Sequence, residues 1–402
     1  KIIDACNDLS VQVHPNDEYA GLHENSLGKT ECWYVLDCKE DTKMVMGHHA
    51  KTKEELVKAI ENDDYDHLLN KFDIKKGDFF YIPSGTIHAI CKGSLIYEAQ
   101  QSSDITYRVY DYHRKDKDGN EYVWVEVPKT GTIYKTAGLG IINFTDEEYS
   151  KIKSDLKEYT IDYKDNGYDD TDSNFSELYQ NMLKSIYTYG GFWIGRYEAG
   201  IEENTPRIAY TKLEDSDRAV VKQNKFPYNH ITRDEAQTLA TKMNYDRCTS
   251  SLIFGIQWDL VLKYIETKYA EQNDSLDIKS KLTVDGTTTG NYYKNLWNIT
   301  NSNVKYLNSD GISFSVCPYK KEIAESVLLT TGADKSFSLM NIFDIAGNVW
   351  EFVLEYYNDD RPCVYRGGSY FDNVQSIYAK SRADTSLATS SSIIGFRIGL
   401  WK

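Results

Sequence analysis

Seven of the eight histidines lie before residue 114, at His14, His23, His48, His49, His67, His88 and His113, and only His230 follows. Tryptophan is sorted the other way: Trp33 is alone in the front stretch, while Trp124, Trp193, Trp258, Trp297, Trp350 and Trp401 belong to the remainder. One shared core gives no reason for such a partition, so the chain reads as two modules, and its 402 residues are enough for each to bury its own core. The stretch from His113 to Asn120 is charged and ends in turn residues. It sets the expected boundaries: a front module at 1–114, a junction at 115–121 and a rear module at 122–402.

In the front module short alternating runs, Leu9 to Val13, Phe79 to Ile82 and Ile105 to Tyr110, predict strands. One helix interrupts them, opened by the capping-box pattern Thr52 to Glu55 and running to about Asn62. The class is mainly β. The rear module opens with Val123, Val125 and Val127 alternating against Tyr122, Trp124 and Glu126, a strand stopped by Pro128. Helices are predicted near Asp146 to Tyr159, Phe175 to Tyr187, Arg233 to Met243 and Phe254 to Tyr269, with irregular loops and brief strands after Lys281. The rear class is α+β.

A net charge of −15 argues against nucleic acid or an anionic membrane as partner, and any phosphorylated ligand must be met by locally placed Lys or Arg. Seven scattered cysteines without a C-x-x-C pair suit a reducing compartment, so a cytoplasmic location is expected. No apolar run reaches membrane-span length. The chain opens at Lys1 within a predicted strand, so upstream sequence is expected, and a signal lost with it would leave the rear module surface-exposed.

Gln12 and His14 stand two apart on a predicted strand, so both side chains project from one face, and Pro15 then ends the ladder. Lys29 and Glu31 repeat that geometry. The run from Gly77 to His88 is a strand, a Pro and Gly turn, and a histidine on the returning strand. Gln12, His14, Glu31 and His88 thus offer two imidazoles, one carboxylate and one amide oxygen. That set suits zinc or another divalent metal with one position left to water, and it contains no thiolate.

Four blocks resemble type I mannose-6-phosphate isomerase, in order and at its spacing: Leu9 to Asp17, Gly28 to Tyr34, Gly77 to His88 and Ser103 to Asp111. The run from Gly77 to His88 is also similar to the second cupin motif. The resemblance covers residues 1 to about 114 and implies a truncated cupin-type jelly-roll barrel. It further implies zinc bound by Gln12, His14, Glu31 and His88, with Arg108 as the active-site arginine. The implied reaction interconverts mannose 6-phosphate and fructose 6-phosphate by moving a proton between C1 and C2. The metal would stabilise oxyanion character, Arg108 would face the developing enediolate, and Lys29 would bind sugar hydroxyls or relay a proton.

In the rear module Gly190 to Ala199, Asn341 to Phe352, Arg366 to Tyr370 and Gly395 to Arg397 resemble the formylglycine-generating enzyme, or sulfatase-modifying factor, family. The implied fold is a C-type-lectin-like variant. The family's oxidase uses two copper-binding cysteines, the first shortly after the Arg-Gly-Gly-Ser block, but Phe371 and Asp372 follow Tyr370 and no cysteine comes after Cys363. Oxidase chemistry is not expected here. Asn341, Asp344, Asn348 and Glu351 are hard oxygen donors suited to calcium, or alternatively to loop capping. Two functional readings remain: a zinc isomerase of phosphosugars with an appended lectin-like module, or a non-catalytic binding or surface protein carrying an inactive isomerase remnant.

Overall fold

The computed structural model describes the chain apart from residues 24–26, 104, 111–117, 166, 244, 246–247, 273–277, 285, 287–288 and 374–376. Asp104, Asp111 and His113, together with the first part of the expected junction, lie outside the described residues. The chain divides into two compact units, Lys1–Arg114 and Lys115–Lys402.

The front unit is mainly β. Its strands are β1 (Ile2–Asp4), β2 (Val11–Val13), β3 (Glu31–Cys38), β4 (Lys43–His48), β5 (Leu69–Asp73), β6 (Phe79–Ile82), β7 (His88–Ile90), β8 (Ser94–Gln100) and β9 (Tyr107–Tyr110). They form a sheet of order β1-β8-β3-β6 and another of order β5-β4-β7-β2-β9. Trp33, Val35, Ile82 and Ile96 from the first sheet share one buried cluster with Met44 and Ile90 from the second, so the two sheets face each other. The helices α1 (Asp17–His23), α2 (Lys53–Glu61) and α3 (Tyr65–Leu68) lie in the connections. Thr52 caps α2 by accepting from Glu55 N–H, as the pattern predicts. The second sheet's other face is covered by α2 and α3, through a cluster that joins Val11, Val45 and Ala89 to Leu56, Tyr65 and Leu68. The outer face of the first sheet is bare: Ile2, Tyr97, Tyr34 and Phe79 form one row across its four strands, and all four are exposed.

Predicted elements recur with small shifts. The strand expected from Ile105 begins at Tyr107, and the one expected from Leu9 begins at Val11. In the rear unit β10 (Tyr122–Glu126) pairs with β11 (Gly191–Gly195), and Trp124 lies opposite Trp193 with ring centroids 4.5 Å apart. Strands Ile398–Trp401 and Thr249–Leu252 complete that sheet. Helix α4 (Asp146–Tyr159) has the predicted bounds and a complete Thr145/Glu148 capping box. The helix expected over Phe175 to Tyr187 runs as α5, Ser176–Tyr189, and stops at Gly190, whose φ of 74° is the left-handed conformation that ends helices. Helices α6 (Arg233–Thr241) and α7 (Gly255–Gln272) follow, and a second four-stranded sheet is built from Arg382–Thr385, Cys363–Arg366, Trp350–Val353 and Ile394–Phe396. Phe192, Phe254, Trp258 and Phe396 are wholly buried in a single large core.

Candidate metal centre

β3 presents Glu31 and Trp33 inward by strand alternation, and β7 presents His88. His14 directly follows β2 at the Pro15 stop. Its main chain is fixed twice, because Gly85 N–H donates to His14 O at 2.7 Å and Lys29 N–H donates to Pro15 O at 3.0 Å. Gly28 permits the second link. A Cβ there would stand 2.4 Å from Asn16 C and 2.5 Å from Asp17 N, too close for any other residue without backbone movement. The Pro15 loop is therefore pressed against the start of the strand that carries Lys29 and Glu31, a requirement that the sequence reading missed. Its signal was the glycine itself.

Donor atoms of His14, Glu31 and His88 all lie within 4.8 Å of one another, and all three residues are buried. His14 Nε2 is 3.2 Å from Glu31 Oε1, and His88 Nε2 is 3.7 Å from Glu31 Oε2. Each imidazole is oriented from behind, His14 Nδ1 against Ile105 O at 2.9 Å and His88 Nδ1 against Thr86 O at 2.8 Å. A carbonyl can only accept, so each Nδ1 carries the proton and each Nε2 turns a lone pair toward Glu31. His14 Nε2 and Glu31 Oε2 are buried without hydrogen-bond partners, an expensive state for a site meant to stay empty. The donor set therefore fits a divalent ion.

Lys29, 7% exposed, places Nζ 2.7 Å from Glu31 Oε1. Burial resists ionisation of Glu31, but the Lys29 ammonium against Oε1 outweighs it and holds the carboxyl below the usual carboxylate range. Burial, partly offset by the Thr86 carbonyl, pushes His88 down to about 4, so its imidazole is neutral, the state in which it can bind metal. The Gln12 amide stands 3.5 Å from His88 Nε2, and a half-turn of that amide brings its oxygen to the same place. Gln12 also pairs across the sheet with Arg108 of β9, which puts His88, Gln12 and Arg108 in one row on one face. Arg108 itself is exposed.

The calcium expectation fails on geometry. Asn341 is exposed, and the oxygens of the other three residues are engaged inside the rear unit. Glu351 takes Arg397 in a two-oxygen ion pair at 2.6 and 2.9 Å. Asp344 Oδ2 accepts Gly332 N–H at 2.6 Å, and Asn348 Oδ1 accepts Leu329 N–H while its amide donates to Glu198. Among the described residues only His14, Glu31 and His88 form a group of three His, Cys, Asp or Glu donors close enough to share an ion. Asp344 and Asn348 cap backbone N–H groups, whereas Glu351 is a strand residue held in an ion pair. Glu198, Asp344 and Glu351 thus share essentially one guanidinium, Arg397. Burial raises Asp344 to about 7 against the opposing pull of Gly332 and Arg397, and burial reinforced by Asp344 and Glu351 raises Glu198.

The cysteines are all unpaired. Cys363 is wholly buried, and burial pushes its thiol up to about 11, the state of an inert core thiol.

Residues 153–399 match the family described as "Sulfatase-modifying factor enzyme 1-like domain". The N-terminal part is similar to the mannose-6-phosphate isomerase ManA of Bacillus subtilis (strain 168), 62% identical over 120 residues, which are 30% of this chain and 38% of that protein. The mannose-6-phosphate isomerase of Streptococcus mutans serotype c is 60% identical over 121 residues, again 30% of this chain and 38% of its own length. A solved mannose 6-phosphate isomerase from Bacillus subtilis shares 55% identity over 29% of this chain and 38% of its own, with a TM-score of 0.28. The chain thus spans about two fifths of the length of the curated relatives it matches.

Two outcomes follow from these sites. Purified full-length chain should hold about one zinc per molecule by metal analysis, and His14→Ala and His88→Ala should each lose it; stoichiometric metal in both variants refutes the assignment. The second outcome concerns the rear carboxyls. Asp344 is raised in the folded state, so the fold keeps a proton that the unfolded chain gives up above about pH 4, and stability falls as pH rises from there through about 7. Denaturant unfolding should show a loss on the order of 2 kcal/mol between pH 5 and pH 8, reduced in Asp344→Asn.

Proposed function

We propose, for a chain that belongs to the sulfatase-modifying factor enzyme 1-like domain family through residues 153–399, that the mannose-6-phosphate isomerase-like segment ahead of that domain works as a zinc-dependent aldose–ketose isomerase. Its substrates are mannose 6-phosphate and fructose 6-phosphate. The observation that carries the reading is the buried convergence of two imidazole lone pairs and an ionised carboxylate beside Lys29, in a segment about 60% identical to isomerases. The two facing sheets support a cupin-type barrel around it.

In this reading Gln12, His14, Glu31 and His88 hold the metal. Zinc bound there supplies a Lewis acid for the oxygen that gains negative charge as a proton moves between C1 and C2. Arg108 is always protonated and shares the Gln12–His88 face, so it sets a fixed positive charge toward that developing enediolate. Lys29 is too buried for surface solvation and is placed to donate to sugar hydroxyls or to relay a proton. These cations also supply the local positive charge that a phosphorylated substrate needs in a chain of net charge −15.

For the rear module, bounded at 122–402 behind a 115–121 junction, we read an α+β, C-type-lectin-like fold without oxidase activity, since its thiols are buried or follow no copper-binding pattern. No described helix is long and apolar enough to cross a membrane, and seven unpaired cysteines support a cytoplasmic location. One observation favours the second reading, a non-catalytic binding or surface protein with an isomerase remnant: within the chain the similarity to the isomerases gives way to a match of residues 153–399 to a different family.

The deciding assay is fructose 6-phosphate formation from mannose 6-phosphate by zinc-loaded chain. Chelator should abolish turnover, and Arg108→Ala should lower it by roughly a hundredfold or more, the usual cost of losing a donor aimed at developing charge. Chelator-resistant turnover, or an undiminished Arg108→Ala rate, overturns the mechanism; no turnover from metal-loaded chain selects the remnant. The rear module should leave a sulfatase-derived cysteine peptide unchanged in the presence of copper, read by mass spectrometry. Aldehyde formation there contradicts the reading of its thiols.

A further inference from the structure

The β1-β8-β3-β6 sheet turns one face to a buried core, and strand alternation ordinarily leaves the other face polar. Here that outer face is apolar too. Ile2, Tyr97, Tyr34 and Phe79 stand in register across the four strands at 69%, 49%, 43% and 63% exposure. Tyr81, two positions along β6 and opposite Cys32, extends the row at 65%.

Area decides what such a face can hold. Four of the five large side chains are aromatic, a kind that buries about 150–250 Å² each when covered, so at these exposures the group leaves on the order of 550 Å² open. That is near the upper end of the roughly 300–600 Å² that the largest apolar patch on a monomer reaches. Doubled across a face-to-face pair it comes to about 1,100 Å², just past the roughly 1,000 Å² that a specific interface needs. The surface that fits a pleated sheet face along its whole length is another sheet, packed about 10 Å away with its strands aligned.

Charge selects the symmetry. At one end of the face Asp4 and Asp37 both lie opposite Leu95, while at the other end Cys32, Tyr81 and Ala99 carry no charge. A two-fold axis parallel to the strands would bring the acidic ends of two copies together. An axis along the row, perpendicular to the strands, instead sets each acidic end over the uncharged end of the other copy, and each row residue over its own counterpart. An uncharged row is also where two copies of a chain of net charge −15 can approach with little repulsion.

We propose that this face is the interface of an isologous dimer of the chain, two copies of the sheet packed face to face about an axis along the Ile2, Tyr97, Tyr34 and Phe79 row.

Sedimentation equilibrium of the full chain reads the pairing directly. A reversible monomer–dimer equilibrium is expected between roughly 1 and 200 µM, as suits an interface at the small end of the specific range, and it should tighten as salt screens the repulsion between acidic copies. Tyr97→Lys and Tyr97→Glu should each weaken dimerisation at least about tenfold, since each sets like charges against one another across the axis. An equimolar mixture of the two should dimerise again, a recovery that misfolded variants cannot give. Leu296→Lys, at an exposed apolar position in the rear unit, should stay within about twofold of the parent. A chain that is monomeric throughout that range, a mixture that does not recover, or an equal loss in Leu296→Lys overturns the proposal. Binding of a monomeric parent chain to neutral lipid vesicles overturns it as well, by assigning the face to a membrane surface.

Discussion

A carboxylate buried among apolar strands stays ionised only if its surroundings replace the water it has lost, and in the front unit Glu31 is that carboxylate. It stands 2% exposed between Lys29, His14 and His88. Lys29 supplies the countercharge on one oxygen, while the other oxygen and the His14 lone pair remain without hydrogen bonds. Everything nearby serves to keep those groups from relaxing away from each other. The Ile105 and Thr86 carbonyls hold both imidazoles from behind, and Gly28 lets the Pro15 loop lock onto the strand start. A site so costly to leave unpaired is preorganised for a cation, which would satisfy all the open lone pairs together.

The rear unit solves a related problem in the opposite way. Asp259 and Glu355 meet Arg366 and Arg382 in a buried four-charge lattice, with bonds of 2.7 Å from each arginine to Asp259. Here the protein supplies the cations itself, so nothing is left for an ion. The Arg366-Gly-Gly-Ser block is part of this arrangement: Gly367 adopts φ 93°, a conformation strained for any residue with a side chain, and a Cβ there would stand a tight 3.1 Å from the Trp258 ring. Around Arg397 the balance is less complete, because Glu198, Asp344 and Glu351 outnumber it, and burial raises Asp344 to about 7 and pushes Glu198 upward as well.

Period-two spacing made the front site legible. Gln12 and His14, then Lys29 and Glu31, are separated by two residues, and a strand sends such pairs to one face whatever its partners are. Capping residues were equally direct, since Thr145 and Glu148 act within one helical turn. What sequence did not disclose was long-range. Neither the β4–β5 pairing nor β8, the strand beside Glu31, shows a local pattern that names its neighbour. The calcium expectation failed for the same reason. Asp344, Asn348 and Glu351 are close in sequence and rich in oxygen, but their partners Gly332, Glu198 and Arg397 lie 12, 150 and 46 residues away. Composition reports which atoms are available, not what they already hold.

That distinction bears on how a segment matching 38% of its relatives' length holds His14, Glu31 and His88 together. Each bond that positions the four donors begins and ends inside the front unit: Ile105 to His14, Thr86 to His88, Lys29 to Pro15, Gly85 to His14. Binding of a metal there would depend on those bonds, all of which lie within the front unit. On the proposed isomerase reading turnover would need more, because a sugar would have to be held with its reacting carbons close to Arg108 and a bound metal, and that demand falls on walls rather than ligands. Arg108 is exposed on β9, the edge strand of its sheet among the described residues, and the outer row Ile2, Tyr97, Tyr34 and Phe79 is likewise exposed. On that reading the two properties are separable: the candidate ligands are anchored by local bonds, whereas holding a substrate would depend on residues beyond them.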